Sequence, residues 1–317
     1  MTTWLVTGGA GYIGSHVAQH FIDAGIEVVV LDDLSSGSAD FVPPGAVFEQ
    51  GTLVDPDFVA GVFARHSFSG VVHLAGYKYA GMSVKRPLHT YEQNVTATVN
   101  LLRAMEAAGT PAIVFSSSAA VYGTPTVELV DETTATTPES PYGETKLAGE
   151  WLIADQGRAT GLRHTSLRYF NVVGSAAAPD TSPYNLFPLV FRALAQGGVP
   201  KIFGDQYPTP DGTCVRDYVH VTDVAAAHVA AARALENGTL ETVYNLGSGT
   251  GLSVRQIMDE MAAVTGIPFV PLVEPARPGD PARIVASGAR AARDLGWNPQ
   301  HTLTDMISSA WAAHTSS

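Results

Sequence analysis

The stretch Thr7-Gly8-Gly9-Ala10-Gly11-Tyr12-Ile13-Gly14 decides the fold. It follows a short apolar run, Trp4 to Val6, and precedes a segment in which Ile13, Val17 and Phe21 recur at four-residue spacing, so its glycines fall at a strand-to-helix turn. Such a turn needs residues without Cβ so that backbone can approach a pyrophosphate, which then rests on the N–H groups and positive end of the helix. Gly8, Gly11 and Gly14 are therefore candidates for a dinucleotide cradle. A glycine pattern alone is weak, since it also serves any tight turn. It gains weight from the next apolar run, Glu27-Val-Val-Val-Leu31, which ends at Asp32, eighteen residues after Gly14, where a carboxylate can accept hydrogen bonds from a ribose diol. The following Asp33-Leu34-Ser35-Ser36-Gly37 holds no arginine to receive a 2′-phosphate, which favours NAD over NADP.

Outward from this unit, runs at Gly70 to Leu74, Ala112 to Phe115 and His164 to Leu167 read as buried strands, the first two largely apolar rather than alternating. They alternate with helical segments, one marked by Leu88, Tyr91, Val95, Leu102 and Met105 and another opened by Pro141 and continuing through Leu147, Trp151 and Leu152. The pattern predicts an α/β Rossmann domain with a doubly wound parallel sheet over residues 1–172 and a smaller α/β lobe over 173–317, which is rich in proline and glycine. Segments near 215–247 are expected to return to the first sheet, namely Tyr218-Val-His-Val221 and Val243-Tyr-Asn-Leu246. Helices are expected at Ser253 to Thr265, with Ser253 as N-cap, and at Leu303 to Ala313.

The chain of 317 residues is 45% hydrophobic and 15% charged, the composition of a globular protein. A net charge of −12, with no long Lys or Arg block, argues against a nucleic-acid partner. No stretch approaches the roughly 18 apolar residues that cross a bilayer, and the N-terminus lacks the pattern of a signal peptide. The single cysteine, Cys214, has no cysteine partner for a disulfide or a metal site; it reads as a packed thiol and suits a cytoplasmic location, and no metal is expected.

The run Ala112 to Phe115 ends in Ser116-Ser117-Ser118, and Tyr142-Gly-Glu-Thr-Lys146 follows on a helix whose i to i+4 spacing puts Tyr142 and Lys146 on one face. A free tyrosine, with a pKa of about 10, is a poor base near neutrality, whereas a neighbouring ammonium and a cationic nicotinamide both favour the phenolate. Tyr142 can then accept the proton of a sugar hydroxyl while hydride leaves the same carbon, with Ser118 orienting or relaying that proton and Lys146 holding the nicotinamide ribose. Either element alone is common on ordinary helices and strand ends. Their order along the chain, all at C-terminal strand ends, makes them a catalytic constellation.

At these residues the chain resembles the UDP-glucose/UDP-galactose 4-epimerase family of the extended short-chain dehydrogenase/reductase superfamily. The resemblance runs through Val6 to His16, His73-Leu-Ala-Gly-Tyr-Lys78, Phe115 to Gly123, Ser140 to Lys146, Leu167-Arg-Tyr-Phe-Asn171, Tyr207-Pro-Thr-Pro-Asp-Gly-Thr-Cys-Val-Arg-Asp-Tyr-Val-His-Val221 and Tyr244-Asn-Leu-Gly247. It implies that Tyr12, Ile13, Asp32, Lys78, Asn94 and Phe170 line an NAD site, together with Asp33, Ser36, Gly37, Thr52, Leu53, Leu74, Ala75 and Gly76, and that Tyr142 and Lys146 touch the cofactor. It further implies a UDP-sugar held by Lys78, Ser118, Tyr142, Asn171, Asn185, Leu186, Phe203, Arg216, Tyr218, Arg277 and Asp280, with Phe203 under uracil and the arginines on phosphate, as arginine forks suit phosphate oxygens. A homodimer through the helices near 88–108 and 141–156 belongs to the same implication.

Several residues depart from the family pattern. Thr52 replaces an aspartate, Met82 a polar residue and Val173 a proline, and the chain is several residues short between Asn171 and Asn185, beside the sugar. Counting from Gly279-Asp280 places Ile284 where the family sets room for a C2 acetamido group. A residue of intermediate size there implies efficient UDP-glucose/UDP-galactose interconversion and weaker activity on N-acetylated sugars. The alternatives are an epimerase of UDP-N-acetylhexosamine or UDP-glucuronate, a nucleotide-sugar reductase, and an NAD-sensing regulatory protein. A dehydratase fits less well, because Ser118 is followed by Ala119-Ala120 instead of an acidic pair.

Overall fold

Four largely apolar runs and two more polar ones, β3 and β6, fold into the strands β1 (Thr3–Thr7), β2 (Glu27–Asp32), β3 (Val47–Gln50), β4 (Gly70–His73), β5 (Ala112–Ser118) and β6 (Arg163–Tyr169) of a computed structural model that describes residues 2–277 and 279–316. The remaining strands are β7 (Asn171–Val173), β8 (Lys201–Phe203), β9 (Val215–His220), β10 (Val243–Leu246), β11 (Gly251–Ser253), β12 (Leu272–Glu274) and β13 (Arg283–Ile284). The main sheet has seven strands in the order β10-β6-β5-β4-β1-β2-β3, every pairing parallel. Its central strands are buried on both faces, as their unbroken apolar runs predict.

One face packs against the helices Tyr12–Asp23 and Val221–Asn237 through Val17, Phe21, Val224 and Leu235; the other packs against Pro56–Arg65 and Ala97–Ala108 through Val59, Val62, Leu101 and Met105. The strand order reverses between β1 and β4, so a crevice opens at Thr7 and His73, where sheets of this kind bind ligands. There the Thr7 hydroxyl and His73 Nδ1 lie 2.8 Å apart, and burial pushes His73 down to about 3, keeping the imidazole neutral beneath the crevice.

Two expectations need correction. Val243–Leu246 does return to the first sheet, beside β6, but the Tyr218-Val-His-Val221 segment does not. Once β10 occupies the edge of β6, β9 pairs instead with β7, β11 and β13 in a separate four-stranded sheet, and only the helix that follows β9 lies on the main sheet. The helix expected around Leu88 to Met105 runs from Pro87 to Ala108 but is broken by a π-turn at Glu92–Thr96, and Leu88 is 86% exposed rather than on its buried face.

The second core, around Phe187, Phe191, Ile257, Met261 and Ile307, joins the helices Leu186–Ala195, Val254–Thr265 and Leu303–Thr315. Ser253 caps the middle one reciprocally: Gln256 N donates to Ser253 Oγ at 3.1 Å and Ser253 N donates to Gln256 Oε1 at 2.9 Å. Among the described residues, no helix is long and apolar enough to cross a membrane.

Candidate active site

Backbone sterics build the first half of the site. Gly8 has φ +73°, and a Cβ there would stand 2.7 Å from the Ala75 amide nitrogen; a Cβ on Gly14 would collide with the Gly8 carbonyl. The turn is thus folded back on the Leu74–Ala75 backbone and leaves the first N–H groups of the helix Tyr12–Asp23 facing a groove, with no side chain capping them. At the end of β2 the Asp32 carboxylate accepts from Ala10 N at 3.0 Å and from Leu34 N at 2.8 Å, which fixes its direction. Burial pushes the Asp32 carboxyl up, opposed by those two amides and by the more distant Lys78 ammonium.

The groove encloses about 550 Å³ and is lined by Gly8, Gly11, Tyr12, Ile13, Gly14, Asp32, Asp33, Ser36, Thr52, Leu53, Leu74, Ala75, Gly76, Lys78, Tyr142 and Lys146. The residues fit a dinucleotide: the glycines let the turn fold tightly on the Leu74–Ala75 backbone, so that the uncapped N–H groups of the helix would hold a pyrophosphate and the oriented Asp32 carboxylate a ribose. Three sequence candidates stand elsewhere. Gly37 packs behind the turn, where a Cβ would press on the Ala10 carbonyl. Asn94 is buried and braces the loop from within, its Oδ1 accepting from Tyr77 N at 2.6 Å while its Nδ2 donates to Tyr77 O at 3.1 Å. Phe170 lines the neighbouring cavity instead. The Thr52 hydroxyl accepts from Val54 N at 3.3 Å and so serves its own turn.

A second cavity of about 630 Å³ lies between the lobes. All eleven residues expected at a sugar nucleotide line it: Lys78, Ser118, Tyr142, Asn171, Asn185, Leu186, Phe203, Arg216, Tyr218, Arg277 and Asp280. Arg216 Nη2 donates to Asp280 at 3.0 Å, and the Arg277 guanidinium lies 3.9 Å from the centre of the Phe203 ring. Asn171 Nδ2 donates to Asp217 O at 3.0 Å and Asn185 Nδ2 to Asp180 at 2.8 Å. Cys214 is buried and also lines this cavity. Ile284 does not. It is buried with Phe170, Leu147 and Tyr122, behind the cavity wall, while its neighbour Arg283 faces outward.

The two spaces share Tyr12, Ile13, Lys78, Tyr79, Tyr142 and Tyr169, so a group on Tyr142 reaches both. Tyr142 and Lys146 do lie on one helical face, but not as a hydrogen-bonded pair. Lys146 Nζ donates to Ser116 O at 2.7 Å and stands 5.9 Å from the centre of the Tyr142 ring. Burial pushes the Tyr142 phenol up, only partly offset by a hydrogen bond with Ser118, so the phenolate expected from the ammonium and a cationic nicotinamide together is not favoured in the chain without a cofactor. Burial likewise draws the Lys146 ammonium down to about 8, against the pull of Glu150.

Beneath these groups lies a buried polar network that the sequence reading missed. Ser117 Oγ donates to Glu150; Arg168 grips the same carboxylate through Nε at 2.8 Å and Nη2 at 2.6 Å and reaches the Tyr122 hydroxyl at 2.8 Å, which donates in turn to Asn245 Oδ1 at 2.7 Å. A signal was present, because the i to i+4 step from Tyr142 to Lys146 continues to Glu150.

A groove for a dinucleotide that opens into a second cavity through one tyrosine defines a class of Rossmann-fold enzyme acting on a bound sugar nucleotide. The chain belongs to the NAD dependent epimerase/dehydratase family, whose sequence model matches residues 4–247. It is 45% identical over 322 residues to a UDP-glucose 4-epimerase from Streptomyces lividans, with 99% of this chain and 96% of the relative covered. A crystal structure of a UDP-glucose 4-epimerase superposes with a TM-score of 0.96 at 42% identity, covering 99% of this chain and 98% of the other. The UDP-glucose 4-epimerase of Stenotrophomonas maltophila, with bound NAD and formylated UDP-arabinopyranose, superposes at 0.93 with 39% identity, covering 100% of this chain and 98% of that one.

Proposed function

We propose that the chain is an NAD-dependent 4-epimerase of a UDP-hexose, interconverting UDP-glucose and UDP-galactose. The observation that carries this reading is the sharing of Tyr142 by the two cavities, since inversion at C4 needs one proton carrier within reach of both cofactor and sugar. When bound, NAD supplies the acceptor and later the donor of the C4 hydride, and its cationic ring adds the positive charge that the Tyr142 phenol lacks in its absence. Tyr142 takes the O4 proton, Ser118 orients that hydroxyl, and Lys146, anchored on Ser116 O, holds the nicotinamide ribose. The sugar leaves as a ketone that turns over within the cavity while Arg216, Arg277 and Phe203 keep the UDP in place. Tyr142 then returns the proton to O4 as C4 takes hydride on its opposite face.

On this reading residues 1–172, completed by β10, hold NAD, and residues 173–317 hold most of the UDP-sugar. The protein acts in the cytoplasm as a homodimer, for which the exposed Leu88 and the 61% exposed Trp151 supply an apolar face on the two long helices.

Incubation with UDP-glucose and no added dinucleotide is expected to yield UDP-galactose by NMR, with NAD recovered from the denatured protein. A requirement for external NADH would indicate a reductase instead. For the acetamido sugars, the position of Ile284 behind Phe170 predicts an indirect effect. Ile284→Ala is expected to cost about 2–4 kcal/mol of stability and to raise activity on UDP-N-acetylglucosamine relative to UDP-glucose by letting Phe170 recede. Competition kinetics with the two sugars checks it, and an unchanged ratio would dissociate this cluster from selectivity.

A further inference from the structure

A ketone waiting between two hydride transfers has no covalent tie to the protein. Its escape takes with it an oxidised sugar and leaves the hydride on the bound cofactor and the proton on Tyr142, so every loss strands one enzyme molecule in a reduced form. The UDP contacts hold the ketone only by its nucleotide end, so closure of the sugar end of the cavity during the turnover of the ring would cut that loss further. Tyr79 stands there, one residue past Lys78, and lines both cavities as Tyr142 does. Tyr184 reaches it from the other lobe, on the loop before the helix Leu186–Ala195, and lines the sugar-nucleotide cavity only. The two rings meet edge to face, with centroids 5.1 Å apart and planes at 68°, a favourable aromatic geometry.

Each ring is held from behind. Tyr79 packs edge to face on Tyr77 at 5.4 Å, and Tyr77 packs on His89 at 5.0 Å, at the start of a long helix. On the opposite side Asp180 fixes the loop, accepting from Ser182 N at 3.0 Å and from Asn185 Nδ2 at 2.8 Å, while Ser182 Oγ accepts from Tyr184 N at 3.2 Å. Tyr184 itself is 49% exposed, so the contact sits at the rim rather than in a core. We propose that Tyr79 and Tyr184 form a latch between the lobes, closing over the sugar end of the cavity and retaining the keto intermediate until the hydride returns. This inference rests on the epimerase reading above.

The test is the rise of bound reduced nicotinamide at 340 nm during turnover of UDP-glucose, with the freed 4-keto sugar trapped by borodeuteride and identified by mass spectrometry. Tyr184→Ala is expected to strand reduced cofactor faster per turnover than the unaltered protein, by about twofold to tenfold, the worth of one aromatic pair. Tyr184→Phe, which keeps the ring, is expected to retain the ketone. Tyr79→Ala should leak like Tyr184→Ala, and the double variant no more than either, because both remove one contact. Equal leakage from Tyr184→Ala and the unaltered protein, leakage from Tyr184→Phe matching Tyr184→Ala, or multiplying effects in the double variant would each overturn the latch. Circular dichroism of the exposed-site variant Tyr184→Ala checks that the fold persists. Failure of the unaltered protein to interconvert the sugars at all would instead overturn the epimerase reading, and the latch with it.

Discussion

Tyr142→Phe is expected to slow interconversion of UDP-glucose and UDP-galactose by more than about a hundredfold, the lower bound for losing a general acid/base, while the NAD content of the purified protein stays unchanged. The substitution keeps the ring that separates groove from cavity and removes only the hydroxyl. Among the described residues four tyrosines line both spaces, and Tyr142 is the one hydrogen-bonded to Ser118, whereas Tyr79 packs on Tyr77 and Tyr184, and Tyr12 and Tyr169 are spent on other partners. Tyr12 donates to the Gly174 carbonyl at 2.5 Å, and burial holds the Tyr169 phenol far above its ordinary range, against His228. Steady-state kinetics and a dinucleotide assay on the same sample decide the matter. A rate within tenfold of the unaltered protein would place the proton on another group and leave Tyr142 a wall of the cavity.

Glu150→Ala is expected to destabilise the fold by about 3–5 kcal/mol, because it leaves the Arg168 guanidinium buried without its carboxylate. Both side chains are only 6% exposed, so water cannot replace the lost partner cheaply. For a domain of this size, that loss lowers Tm by on the order of 10 °C. The same change also removes the charge that supports the Lys146 ammonium against burial, so surviving enzyme should lose activity at lower pH than the unaltered protein. The sign follows from Lys146 being needed as a cation: with its pKa already drawn down to about 8, taking away Glu150 draws it further, and the alkaline limb moves toward neutrality. Thermal melts and a pH–rate profile of Glu150→Ala and Glu150→Gln test both parts. A loss below about 1 kcal/mol in the alanine variant would mean that solvent reaches Arg168 after all.

What the sequence discloses depends on whether a residue's role is set locally. β1, β2, β4 and the first half of β5 are apolar at nearly every position, which marks strands buried on both faces, whereas β6 (Arg163-His-Thr-Ser-Leu-Arg-Tyr169) is mostly polar and is buried by its place between β5 and β10. β3 escapes the same reading because Val47-Phe48-Glu49-Gln50 is a half-exposed edge with polar residues at half its positions. The partner choice of β9 is a tertiary fact, decided by β10 taking the edge of β6, and no periodicity records it. The glycine turn and Asp32 are legible because sterics and a carboxylate act where they stand. The sugar-nucleotide cavity draws on residues spread from Lys78 to Asp280, so only family resemblance gathers them. Resemblance gives proximity without direction, which is why Asn94, Gly37 and Ile284 proved to stand one layer behind the surfaces they were expected to line.

The parallel pairing of β10 with β6 has a consequence for how this chain is made. The first sheet gains its last strand only when Val243–Leu246 emerges from the ribosome, long after Ser166–Tyr169. At ordinary elongation rates the nascent protein therefore carries an open strand edge for on the order of ten seconds, flanked by apolar residues and able to pair with any neighbouring chain. Crowded synthesis, rather than the finished enzyme, is where aggregation of this protein is to be expected. Slowing translation between the two strands should worsen it even though the mature sequence is untouched.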